Sequence, residues 1–142
     1  MILFLLLAAA ASAQTGLAVS DLFGDSYVDN RGVRLMKIEG GELKKMKLQK
    51  FYSFTISDPD AETAATIESK VKRDGARAQD KEVQYKDRHL YYGFYQLRPT
   101  AGRSNRYLVY LNQSEGHNGK ILVIYLEGNA SLNDVKKLIE KN

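Results

Sequence analysis

Tyr91, Tyr92 and Tyr95, followed by Arg98, Arg103 and Arg106, are the densest gathering of binding chemistry in the chain. A tyrosine offers a flat ring with a polar tip, and a guanidinium offers a planar fork of donors that fits carboxylate or phosphate. Such a set suits recognition of a glycan, an anionic group or a protein partner, with Tyr91, Tyr95, Arg98, Arg103 and Arg106 as the contact residues. Ordinary packing stands beside that reading and is the commoner fate of these residues: tyrosine fits half-buried antiparallel strands, and loop arginines are usually solvated. A second basic run, Lys44, Lys45, Lys47 and Lys50, could touch anionic lipid or polysaccharide or simply form a wet face.

Bond-making chemistry has no comparable gathering. The chain has two histidines, His89 and His117, no cysteine, and no histidine–carboxylate motif at ligand spacing, so no metal and no cofactor is assigned. The acids of SDPDAE around Asp58 fit helix capping and lack the glycine and distal glutamate of a calcium loop. No serine stands in a GxSxG or SxxK pattern, and the glycines fall at turns without a phosphate-binding motif. No catalytic residue follows from these spacings. A hydrolase without a recognisable motif would need two carboxylates, or a histidine and a nucleophile, brought together by the fold.

The elements that must position these residues are legible in hydrophobic pattern. Residues 106–113 (RYLVYLNQ) and 120–128 (KILVIYLEG) read as a hairpin around the turn SEGHNG. In the second run Ile121, Val123 and Tyr125 take one side and Leu122, Ile124 and Leu126 the other, the pattern of a central strand. Ser131 and Asp134 form a capping box for a closing helix whose stripe is Leu132, Val135, Leu138 and Ile139. Earlier, residues 33–38 make a strand ended by Gly40-Gly41, and 48–56 a second, with Tyr52, Phe54 and Ile56 expected at mixed depth. Asp58 with Pro59 predicts a helix start and Gly75 its close, with Ala64, Ile67 and Val71 as a thin apolar stripe. Residues 82–85 and 88–97 form another hairpin, where Tyr91, Gly93 and Tyr95 share one face and Tyr92 and Phe94 the other. The result is an α+β fold, a mostly antiparallel sheet in the order β-β-α-β-β-β-β-α, with both helices expected on one face.

The opening MILFLLLAAAASAQ is apolar and uncharged and ends in the small-x-small pattern Ala11-Ser12-Ala13, which reads as an export signal over residues 1–13. It is shorter than the roughly 20 residues of a membrane-spanning helix, so stable membrane insertion is not expected once the signal is removed. Residues 14–142 then form a single α+β domain. The leader carries no charge, so the domain keeps the whole net charge of +4, and without cysteine its stability rests on packing alone. A modest basic balance in an exported protein favours glycan or lipid phosphate over nucleic acid, and no nucleic-acid binding is expected.

The stretch KEVQYKDRHLYYGFYQL, the strand KILVIYLEG and the closing NASLNDVKKLIEKN together carry a resemblance. The chain resembles the small exported α+β domains of unknown function common in Bacteroidetes, in which a last strand of the type I-x-L-x-G precedes a short helix of the type L-x-D-hydrophobic-x-K-L. That resemblance implies the periplasm or the cell surface and brings no functional residues with it. The expected function is a non-enzymatic module that binds an envelope protein, with a binder of glycan or a small anionic ligand through the Tyr/Arg surface as the alternative.

Overall fold

The computed structural model describes residues 16–27, 32–99, 104–113 and 119–140. Six antiparallel strands, β1 (Val33–Glu39), β2 (Leu48–Ser57), β3 (Asp80–Lys86), β4 (His89–Leu97), β5 (Asn105–Gln113) and β6 (Lys120–Gly128), lie side by side in the order β1-β2-β6-β5-β4-β3. Helix α1 (Ala61–Gly75) joins β2 to β3, and α2 (Leu132–Glu140) follows β6. Short 3-10 helices occupy Ala18–Phe23, Asp25–Tyr27 and Gly41–Met46. The architecture is the expected α+β one, with strands and helices in the expected order.

β6 is the spine because its residues are apolar in both directions. Ile121, Val123 and Tyr125 enter one core with Tyr52, Phe54 and Ile56 of β2 and with Ile67 and Val71 of α1. Ile124 and Leu126 enter a second core with Phe94, Tyr107, Val109 and Val135 of α2. The two helices therefore lie on opposite faces of the sheet, which corrects the expectation of one shared face. A strand that is greasy on both sides needs cover on both, since each buried Ile, Leu or Val side chain is worth about 1.5–3 kcal/mol only if water is excluded from it.

The first core has a further cover. The segment after Gly16 forms the 3-10 helix Ala18–Phe23, and its Val19, Leu22 and Phe23 are buried beside α1.

The two helix starts fare differently. Asp60, not Asp58, caps α1, accepting from the amide of Thr63 at 2.7 Å. Asp58 instead takes a positive φ of 50° and donates its amide to the Gly119 carbonyl, which ties the end of β2 to the start of β6. At α2 the capping box forms as read: the Asp134 amide donates to Ser131 Oγ at 3.2 Å, and the Ser131 amide to Asp134 Oδ2 at 3.4 Å.

Gly128 ends β6 for a steric reason. A β carbon there would stand 2.5 Å from the Lys47 carbonyl oxygen, the atom that accepts the amides of Asn129 and Ala130. Any side chain would push apart the junction from which α2 departs.

Candidate functional site

Four arginines converge where the end of α1 meets the end of β4 and the start of β5. Arg73 and Arg77 come from the last turn of α1 and the bend after it, Arg98 follows β4, and Arg106 is the second residue of β5. They line a cleft of about 610 Å³ whose other walls are Gly16, Leu17, Ala18, Leu97 and Pro99, with Asp74 among them. The Arg106 Nε donates to the Arg98 carbonyl at 2.9 Å, which fixes one guanidinium against the strand end.

Among the described residues Asp74 is the only carboxylate lining this wall, and its oxygens are engaged. They accept the amides of Ala18 and Val19 at 2.7 and 2.9 Å, capping the 3-10 helix at the chain's start. Asp74 is buried, and burial raises its carboxyl above the ordinary value despite the two amides and the charges of Arg73 and Arg106. Among the described residues the wall thus holds four arginines and one engaged carboxylate, with Arg106 also beside Tyr125 and paired across the strands with Glu127. Arg73, Arg77 and Arg98 are exposed, and guanidinium forks gathered in this way are the chemistry that holds carboxylate or phosphate oxygens.

The sequence-derived site residues divide. Arg98 and Arg106 share the cleft, joined by Arg73 and Arg77, which the sequence pattern did not single out as site residues. Tyr95 is buried to 3 % exposure, its ring packed between Gly75 and Gly93, and burial pushes its phenol up to about 12. Tyr91 is half-buried at a β-bulge, the extra residue where Tyr92 pairs with Gln84 and Leu90 with Tyr85. The bulge breaks the alternation that grouped Tyr91 with Tyr95 and turns Leu90 into the α1-side core. Seven residues of strand, about 23 Å at 3.3 Å per residue, separate Tyr91 from Arg98, so the tyrosines and the arginines are not one surface. Arg103 lies outside the described residues.

A signal for the missed part was present. An Asp in the last turn of a helix opposes the helix dipole, so Asp74 amid Lys70, Lys72 and Arg73 marks a carboxylate with business elsewhere.

The remaining titratable groups are local. His89 is exposed, 3.5 Å from Glu68, which also accepts the Leu90 amide; His117 lies outside the described residues. Among the described residues no group of three or more His, Asp or Glu side chains is placed to hold a metal, and no helix is long and apolar enough to cross a membrane.

The chain belongs to a family of unknown function, DUF6108, whose model matches residues 6–139. No curated protein and no solved structure matches it.

Proposed function

We propose that the chain is an exported, non-enzymatic binding module of the cell envelope, and that the arginine-lined cleft receives an acidic segment of a partner protein. The observation that carries this reading is the charge arrangement: Arg73, Arg77, Arg98 and Arg106 face one recess, and Asp74 spends its oxygens on Ala18 and Val19. Leu17, Leu97 and Pro99 add apolar wall to the cations, which suits a peptide carrying both acid and hydrocarbon better than a lone inorganic ion. The apolar leader ending in Ala11-Ser12-Ala13 supports export to the periplasm or cell surface.

A glycan reading through stacked tyrosines loses support, because Tyr95 is inside the α1-side core. Small anionic ligands remain the alternative for the same arginines. The two are separated by in-cell photocrosslinking from positions 17 and 99. A protein adduct that disappears in Arg73→Gln/Arg98→Gln supports the module, whereas absence of any arginine-dependent protein adduct removes the protein partner. N-terminal sequencing of the envelope fraction tests export, with Gln14 expected as the first residue.

A further inference from the structure

Among the described residues the large exposed apolar side chains are Met36, Ile38, Met46 and Tyr85, at 53, 40, 39 and 53 % exposure, and the first three share one side of the sheet. Met36 pairs with Ser53 and Ile38 with Phe51, and these in turn pair with Ile124 and Leu126 of the α2-side core. Met36 and Ile38 therefore face the α2 side at the free edge of the sheet, beyond the reach of that nine-residue helix. The 3-10 helix Gly41–Met46 folds over the same side, burying Leu43 in that core and leaving Met46 out.

Between this turn and α2 runs a groove of about 260 Å³, with Met46, Leu48 and Leu138 among its apolar walls and Lys45, Lys47 and Lys137 beside them. Among the described residues the carboxylate lining it is Asp134, which is engaged with Ser131; Glu42, also exposed, lies in the turn. We propose that this corner docks on an anionic lipid surface, with Met36, Ile38 and Met46 at the headgroup boundary and the lysines at the phosphates. Charge selects the occupant. Exposed hydrocarbon fringed by lysine is complementary to an apolar layer faced with anions. A second copy seated about a two-fold axis would set lysines against lysines. The surface uses none of the cleft arginines, so it stands or falls apart from the proposed function.

The test is flotation of the full chain with phosphatidylcholine vesicles, with and without phosphatidylglycerol. The expected result is extra binding to the anionic vesicles that fades with added salt. It should weaken about fivefold for each lysine neutralised, hence about 25-fold in Lys45→Gln/Lys137→Gln, and recover in Lys45→Arg/Lys137→Arg. Met46→Ser, on an exposed side chain, should weaken it with unchanged circular dichroism, and Arg73→Gln/Arg98→Gln should leave it intact. Equal binding to both vesicle types, or anionic binding indifferent to the lysines, overturns the proposal. So does association of two copies in light scattering that Ile38→Ser abolishes, without vesicle binding.

Discussion

The ring of Tyr95 occupies the space that a side chain on Gly75 would need: a β carbon on that glycine would stand 2.8 Å from the ring's Cδ1 and Cζ. On the ring's other side a β carbon on Gly93 would meet Cε2 at 2.6 Å, so the ring has little room to move away. Gly75→Ala should therefore destabilise the fold by about 1–3 kcal/mol, the usual cost of overpacking, measured by urea unfolding. The double variant Gly75→Ala/Tyr95→Leu should lose less than the sum of the two single changes. Additive losses would mean that the ring is not confined by the glycines.

Much of this fold is legible in particular residues. The two-sided apolar pattern of β6 announces a central strand, and Ser131 with Asp134 announces α2. Legibility stops where three-dimensional choice begins: the stripe Ile67–Val71 says that α1 is covered on one side, not which face of the sheet covers it. The bulge at Tyr91 leaves no local mark, because its cause is the pairing of β4 with β3. The arginine cleft was half visible, since Arg98 and Arg106 are near in sequence while Arg73 and Arg77 arrive from a helix with no sequence link to them.

The acid limb of stability should contain opposing contributions. Hydrogen bonds from Thr63 to Asp60 and with Ser131 to Asp134 hold both carboxyls below 3.8. Their stabilisation is present above that value and is lost as pH falls through the lower folded values. Asp74 runs the other way: its folded value is raised by burial, so its contribution grows as pH falls through that value toward 3.8. Chemical denaturation across acid pH should show wild type gaining on Asp74→Asn as the pH falls in that window. A constant gap would contradict the assignment.

Asp74→Ala tests the same carboxylate at neutral pH. It leaves the Ala18 and Val19 amides without their acceptor, and loss of a partner to a buried donor costs about 1–3 kcal/mol. Hydrogen exchange should speed first at Ala18 and Val19. Unchanged exchange there would show that another group takes over.

Buried tyrosines set the alkaline limb. Burial pushes Tyr95 and Tyr110 up to about 12, from an unfolded value near 10. Their contribution is whole below pH 10 and should be lost as pH rises through the folded values, which absorbance titration at the phenolate band will follow. Asn112 is near enough to ease ionisation of Tyr110, but no group among the described residues reaches the Tyr110 hydroxyl in hydrogen-bonding geometry. Tyr110→Phe should be neutral or stabilising, and a loss above about 1 kcal/mol would reveal a partner.

The β3–β4 turn offers a stabilising change. Asp87 and Arg88 both adopt positive φ, 52° and 70°, the two-residue geometry that prefers Asn-Gly. Arg88→Gly should raise stability by about 0.5–1 kcal/mol, and a fall in melting temperature would contradict this.

The arginine cleft as a receptor for an acidic segment is tested most directly by titrating the isotope-labelled chain with a glutamate-rich peptide and following backbone amide resonances. Saturable shifts should concentrate at Gly16–Ala18, Arg73–Arg77, Arg98 and Arg106, and vanish in Arg73→Gln/Arg98→Gln. Shifts confined to other basic stretches, or shifts that survive that double substitution, would contradict it.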